Sequence, residues 1–217
     1  MLTQQQAEVM LTLQANMNAK VNPDWVKAAY PYLRAVVVEG AEAMEHHGWK
    51  WWKKQHCDLG QLQMELVDIW HFTLSHILLL TGGDEQQALE LLMQQLEQDQ
   101  QIKFDNKTIN IKELDLISKL ELKIALAAVR RVSVPLFAAL LEDCQMSWKD
   151  LYCQYVGKNV LNFFRQDHGY KEGTYDKHWL GREDNEHLVE VMTEIDSEHP
   201  EFQHVLYQSL KDRYEGR

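Results

Sequence analysis

Cysteine, proline and glycine are scarce in this sequence, and each shortage limits what the protein can be. Its three cysteines include no CxxC pair and are too few for a disulfide framework, so we expect a reducing compartment. Four prolines and ten glycines among 217 residues leave long segments rich in Leu, Ala, Gln and Glu, a composition that favours helices. The first residues lack the continuous apolar core of a signal peptide, so a cytoplasmic location is expected.

Positive charge is also in short supply. Lys and Arg total 22 against 33 Asp and Glu, which gives a formal net charge of -11. This balance argues against nucleic acid or an anionic membrane as a partner. A nucleotide is still compatible, because local basic groups or bound cations can offset carboxylates. The longest apolar stretch, residues 59–80, contains Glu65 and Asp68 and is not expected to span a membrane.

The hydrophobic periodicity predicts one all-α domain, a helical bundle over residues 1–217, with no strands. Pro31 is expected to kink the second helix or delay its start. Residues 169–186, which hold three glycines, are predicted to form a long loop that closes over a ligand. Helices are predicted at about residues 3–18, 24–47, 58–80, 84–98, 112–131, 133–141, 147–166, 186–195 and 201–214.

The predicted helix at 58–80 carries the most informative feature. Glu65 and Asp68 are its only formally charged side chains between residues 59 and 83. A helix that is apolar nearly all round is buried, so these two carboxylates lie in or beside the core. Unpaired carboxylates there would cost several kcal/mol or take up protons. A positively charged group must therefore lie close to these two carboxylates.

The preceding helix repeats this pattern with Glu39 and Glu42 on the flank of its buried stripe. If the two helices pack antiparallel, all four carboxylates converge, and such oxygen ligands suit Mg²⁺ or Mn²⁺. Either pair alone would usually be a solvated face, but two pairs on consecutive helices favour a metal site. Di-iron bundle proteins use Glu-x-x-His pairs, and no histidine follows Glu39, Glu42 or Glu65 at that spacing, so oxidase chemistry is not favoured.

Two basic segments could meet phosphate. Residues 49–54 combine three tryptophans with three lysines, either as an aromatic and cationic wall for a nucleotide or as an amphipathic helix end. Lys158, Asn162 and Arg165 follow one another at i, i+4 and i+7, hence on one helical face. Two cations and an amide in a row suit a polyphosphate, because arginine can bind two oxygens while lysine supplies a point charge.

Four separated blocks closely resemble the dimeric dUTPases, which belong to the all-α NTP pyrophosphatase superfamily with MazG-like relatives. The blocks are VEGAE at 38–42, WKWWK at 49–53, ELVDIWHF at 65–72 and GKNVLNFFRQ at 157–166. The resemblance implies a homodimeric hydrolase that converts dUTP, and also dUDP, to dUMP. Such an enzyme limits uracil incorporation into DNA and supplies dUMP for thymidylate synthesis.

The resemblance also implies roles for individual residues. Two or three Mg²⁺ ions, for which Mn²⁺ may substitute, would be held by Glu39, Glu42, Glu65 and Asp68, with Glu39 and Glu42 as the catalytic carboxylates. Phosphate would be bound by Lys158, Asn162, Arg165, Tyr170 and Lys53. The base and sugar would be contacted by Gln14, Asn18, Trp52, His71 and Phe72.

Two alternatives to a strict dUTPase are left open by the residues. One is a MazG-like pyrophosphatase of broader specificity, and the other is a non-catalytic helical module whose acids are solvated. Rejection of dCTP would need a donor such as an amide NH₂ facing the 4-carbonyl of uracil. Rejection of UTP would need an apolar wall at the 2′ position, for which Phe72 is the candidate.

Overall fold

The fold is all-α, as predicted. The structure is a computed structural model that describes residues 1–195 and 201–216; residues 196–200 and 217 of the predicted single domain lie outside the described residues. The α-helices are α1 Gln4–Val21, α2 Trp25–Ala28, α3 Tyr32–His47, α4 Leu59–Leu80, α5 Glu85–Leu96, α6 Leu116–Ala128, α7 Val134–Asp143, α8 Trp148–Asp167, α9 Asp184–Glu194 and α10 Phe202–Glu215. None of them is long and apolar enough to cross a membrane.

Polar side chains fix where the main helices begin. Thr3 and Gln6 form the predicted capping box at the start of α1. Asp58 accepts a hydrogen bond from the Gln61 amide at the start of α4. Ser147 caps α8 through a capping box of its own. The predicted starts of these three helices are confirmed.

The second predicted helix is divided in two. Ala29 adopts a left-handed conformation with φ of 50°, which ends α2. Pro31 occupies the N-cap of α3, so it delays the helix rather than bending it. Of the two expected effects of this proline, the delayed start is the one observed.

The expectation of no strands is wrong at two short antiparallel hairpins. Strands β1 (Gln101–Phe104) and β2 (Lys107–Asn110) are joined by Asp105 and Asn106, both with positive φ. An Asp-Asn pair between short alternating segments is typical of a two-residue hairpin turn. Ile102 of this hairpin packs in a small hydrophobic cluster beside α6 and α7.

The second hairpin lies inside residues 169–186, which were predicted as a loop. Strands β3 (His178–Trp179) and β4 (Arg182–Glu183) pair across a turn at Leu180 and Gly181, and α9 begins directly after them. Trp179 is fully buried against Phe164 of α8. This segment is therefore anchored to the core by an aromatic side chain.

Helix α4 is central to the larger hydrophobic core, which explains why its acids are shielded. It packs against α1, α3, α5 and α8. Its Trp70 is fully buried and stacks on Phe137 of α7, with ring centroids 4.6 Å apart. Helix α8 joins this core, through Tyr155, to a second core built with α9 and α10 around Phe164 and Trp179.

Helices α3 and α6 approach closely at Gly40, where a Cβ atom would lie 2.7 Å from Ile124 Cγ1. We expect Gly40→Ala to lower the free energy of unfolding by about 1 kcal/mol, because overpacking outweighs the gain in helix propensity. Gly60→Ala is the matched control, since the nearest atom to its Cβ would be Asp58 Oδ1 at 3.8 Å. Chemical denaturation of both variants measures the difference, and equal stabilities would contradict close α3–α6 packing.

Candidate active site

Helices α3 and α4 bring carboxylates together. Glu39 and Glu42 of α3 and Glu65 of α4 each offer an oxygen atom, and these three atoms lie within 4.8 Å of one another. Asp68 lies one turn further along α4, where Lys158 Nζ is 3.1 Å from its Oδ2. Of the four carboxylates expected to converge, three therefore bring oxygen atoms together, and Asp68 lies one turn away.

Burial and mutual repulsion perturb these carboxylates. Burial, followed by repulsion from Asp68, Glu65 and Glu42, raises the pKa of Glu39 to about 8. Burial and repulsion from Asp68 and Glu42 raise the pKa of Glu65 to about 7. Near neutral pH the metal-free cluster therefore holds protons, which keep like charges from meeting in a shielded place. A divalent cation can replace those protons, so this set of oxygen donors fits Mg²⁺ or Mn²⁺.

The acidic cluster has a neighbouring histidine, His46, which the sequence analysis did not single out. His46 Nε2 lies 3.4 Å from Glu65 Oε1. His46 follows Glu39 and Glu42 at i+7 and i+4, so helical spacing alone places it on the same face of α3.

The cationic side of the site comes from α8. Lys158 is buried and contacts Asp68. Arg165 Nε and Nη2 each donate to Asp184 at 2.8 Å, and its Nη1 donates to Asn162 Oδ1 at 3.1 Å. The guanidinium therefore binds a carboxylate of this chain through two parallel hydrogen bonds.

Asp184 is a further site residue that the sequence did not reveal. Its side chain is almost fully buried, and it accepts a hydrogen bond from the Tyr175 hydroxyl at 3.0 Å in addition to those from Arg165. These hydrogen bonds lower the pKa of Asp184 despite its burial, so it stays ionised. An ionised Asp184 fixes the direction in which Arg165 points.

A cavity of about 260 Å³ opens between α1, α4 and α8 beside this site. It brings together eight of the predicted contact residues: Gln14, Asn18, Asp68, His71, Phe72, Asn162, Arg165 and Tyr170. It is also lined by residues that the sequence did not single out: Met17, Val21, Tyr30, Tyr32, Ser75 and Gln166.

Trp52 and Lys53 do not line this cavity. Trp52 is 60% exposed and packs edge-on against Trp51, with ring centroids 4.5 Å apart. Lys53 is exposed in the same turn. Their assignment to base and phosphate binding stays a prediction.

Tyr170, at the rim of the cavity, lies between two cations. Arg165 Cζ is 5.9 Å from the centre of the Tyr170 ring, and Lys177 Nζ is 5.3 Å from it. Lys177 therefore adds a basic group at the end of the site where Arg165 lies. A local concentration of cations in an acidic protein suits a phosphate-bearing ligand.

Comparison with protein families gives a match for this chain. The family described as dUTPase matches residues 6–170, which is most of the chain. The chain belongs to the dUTPase family. It is therefore a hydrolase, a dUTP diphosphatase, as the sequence blocks predicted. No curated protein matches it.

The match ends at Tyr170, so part of the site lies beyond it. The acidic pairs, the base-side residues and the α8 cations of this dUTPase all fall inside the matched range. Asp184 and Lys177 fall outside it, although both contact residues within it. The C-terminal segment thus contributes to the orientation of Arg165 and Tyr170.

The raised pKa values give the metal-free protein a pH-dependent stability. A carboxyl whose pKa is higher in the folded state stabilises the fold below its unfolded value and loses that contribution as pH rises through its folded value. For Glu39 and Glu65, stability should therefore fall between about pH 5 and pH 8.

Removing the charge of Glu39 should restore the stability that the metal-free protein loses at high pH. At pH 8 and without metal, we expect Glu39→Gln to melt roughly 3 °C or more above the unmodified protein, with a smaller difference at pH 5. Glu45→Gln is the control, because Glu45 is exposed and its pKa is lowered by Lys50 and Trp49. Thermal melts monitored by circular dichroism measure the shift; a lower melting temperature for Glu39→Gln at pH 8 would contradict the electrostatic assignment.

Proposed function

We propose that this dUTPase hydrolyses dUTP, and also dUDP, to dUMP with divalent metal held by Glu39, Glu42, Glu65 and Asp68. The observation that carries the proposal is the set of oxygens from Glu39, Glu42 and Glu65 within 4.8 Å of one another in a chain of this family, and Asp68 is added from the resemblance alone. Two or three Mg²⁺ ions fit the number of carboxylates, and Mn²⁺ would substitute because it accepts the same oxygen ligands.

The carboxylates have distinct tasks in this proposal. When bound, the ions supply positive charge to the phosphate oxygens and activate water. Glu39 orients the attacking water and takes its proton as the general base. Glu42 is exposed and Glu65 is buried, so the cluster reaches from the core to the surface.

The basic residues balance the charge of the substrate. Lys158 and Arg165 take up charge that develops on the departing phosphate oxygens. Asn162 and Tyr170 line the cavity beside Arg165 and contact phosphate or metal. Lys53 is proposed as a further phosphate contact on the evidence of its family block alone.

The base and sugar enter the cavity between α1 and α4. The Asn18 amide is buried and its Nδ2 has no partner in the described part of the chain, so it is available to donate to the 4-carbonyl of uracil. His71 and Phe72 line the same cavity, where Phe72 supplies an apolar wall against a 2′-hydroxyl. Trp52 is proposed to cover the base from the neighbouring turn.

The resemblance to dimeric dUTPases supports the wider proposals. We propose that the protein acts as a homodimer in the cytoplasm. There it would limit uracil incorporation into DNA and supply dUMP for thymidylate synthesis. Its partner is then a small nucleotide, in keeping with the net charge of -11, which disfavours a nucleic acid surface.

Incubation with each dNTP and Mg²⁺ tests the proposed reaction directly. We expect dUMP and pyrophosphate from dUTP and little product from the other dNTPs, with kcat at least about 10²-fold lower in Glu65→Gln and Asp68→Asn. Glu45→Gln, on the same helix as Glu39 but bound to Lys50, should keep full activity.

Equal rates on all dNTPs would favour the MazG-like alternative, and active Glu65→Gln and Asp68→Asn variants would remove the metal-site assignment.

Sugar discrimination should depend on Phe72. We expect Phe72→Ala to raise kcat/KM for UTP relative to dUTP by about tenfold, because the space opened by the lost ring admits a 2′-hydroxyl. The ratio of the two kcat/KM values is the measurement, since it cancels any general loss of activity. An unchanged ratio would show that another group excludes ribonucleotides.

A further inference from the structure

Five buried polar side chains form a connected network at the base side of the cavity. Gln14, Asn18, His71 and Ser75 line the cavity, and each is at most 6% exposed. Tyr155 lies behind them, fully buried, with its ring stacked on His71 at a centroid distance of 4.0 Å. Hydrogen bonds among buried groups make such a network rigid, because a broken one leaves an unpaired polar group away from water.

Gln14 is the centre of this network, and protein groups use its whole hydrogen-bonding capacity. Its Oε1 accepts from His71 Nδ1 at 2.8 Å and from the Tyr155 hydroxyl at 2.7 Å, whose single proton also faces Met10 O at 3.0 Å. Its Nε2 donates to Ser75 Oγ at 2.8 Å and to Asn18 Oδ1 at 3.1 Å. A primary amide has two donors and two acceptor sites, so Gln14 has none left for a ligand.

Two neighbours of Gln14, Asn18 and His71, are each left with one group that has no partner among the described residues. Asn18 Oδ1 accepts a second hydrogen bond from the Ser75 hydroxyl at 3.1 Å, so the carbonyl is satisfied while Nδ2 has no partner among the described residues. His71 donates through Nδ1, and burial lowers its pKa to about 3, so the ring is neutral and Nε2 is an acceptor. That acceptor also has no partner among the described residues.

A buried amide donor and a buried imidazole acceptor therefore remain for the ligand in one cavity. Uracil presents a carbonyl acceptor at position 4 next to an N–H donor at position 3, whereas cytosine presents a donor next to an acceptor. Turning both amides and moving the His71 proton to Nε2 would give the opposite pair, which matches cytosine. No single member can turn alone, because two donors or two acceptors would then face each other.

We propose that Gln14, Ser75 and Tyr155 are positioning residues that set base specificity by fixing the Asn18 amide and the His71 tautomer as one cooperative unit. This inference rests on the proposed function for the identity of the base. It assigns Gln14 a supporting role in place of the direct uracil contact expected from the sequence. Ser75 reinforces the direct Gln14–Asn18 hydrogen bond, since its hydroxyl accepts from Gln14 Nε2 and donates to Asn18 Oδ1.

Removal of the Ser75 hydroxyl is the sharpest test. In Ser75→Ala the Asn18 carbonyl loses one of its two donors, so only Gln14 Nε2 still opposes rotation of the amide into the orientation that matches cytosine. We expect the ratio of kcat/KM for dUTP to that for dCTP to fall about tenfold or more. Ser75→Thr, which keeps the hydroxyl, should restore the ratio.

Thr73→Val is the matched control. Thr73 lies on the same helix and is fully buried, but its hydroxyl has no hydrogen-bond partner in the described structure. We expect its dUTP/dCTP ratio to be unchanged, so a loss in both variants would indicate general damage to α4 and overturn the proposal. An unchanged ratio in a folded Ser75→Ala variant would overturn it as well.

Binding of dUMP and dCMP, measured by calorimetry without metal, separates this proposal from the reaction. Preferential binding of dUMP that is lost in Ser75→Ala supports the network even if no dUTP is hydrolysed. Hydrolysis of dUTP with dUMP and dCMP bound equally by the unmodified protein would support the reaction and contradict the network.

Discussion

The packing of α3 against α4 forces carboxylates from two helices close together at a partly buried place, where water screens their repulsion only weakly. Glu65 is buried because α4 is apolar on nearly all sides, and Glu39 faces it across the helix interface. Repulsion between such groups must be offset by protons, by a cation of the protein or by a bound metal. Lys158 forms an ion pair with Asp68. The pKa values of Glu39 and Glu65 are raised by burial and repulsion, because the negative charge of these two carboxylates has no such partner of comparable strength among the described residues.

Helix α8 connects that charge cluster to the rest of the molecule. Its N-terminal half packs in the main core through Tyr155, and its C-terminal half packs with α9 and α10 through Phe164. Lys158 and Arg165 lie on the face of α8 between these contacts. Because Asp184 holds Arg165 from the start of α9, the C-terminal helices help to place a cation beside the cavity.

Local patterns predicted much of this arrangement. The caps at Thr3 and Ser147 marked helix starts, and the i,i+3 spacing of acids on two consecutive helices predicted a convergence that three of the four acids show. The hairpin at Asp105 and Asn106 was missed because its strands are four residues long, too short for sustained alternation to stand out.

Tertiary partners were beyond the reach of such patterns. Asp184 is 19 residues from Arg165, and Tyr155 is 141 residues from Gln14, so no helical spacing connects either pair. For Gln14, too, the sequence did not reveal the tertiary partners. Its position at the cavity was predicted, but the saturation of its amide depends on three residues from α4 and α8.

Proton release on metal binding tests the central electrostatic claim most directly. Mn²⁺ can be titrated into the metal-free protein at pH 7 by calorimetry in two buffers with different ionisation enthalpies. The account predicts binding with a net release of protons, because the metal displaces those held by Glu39 and Glu65. Binding without proton release, or no binding, would contradict it.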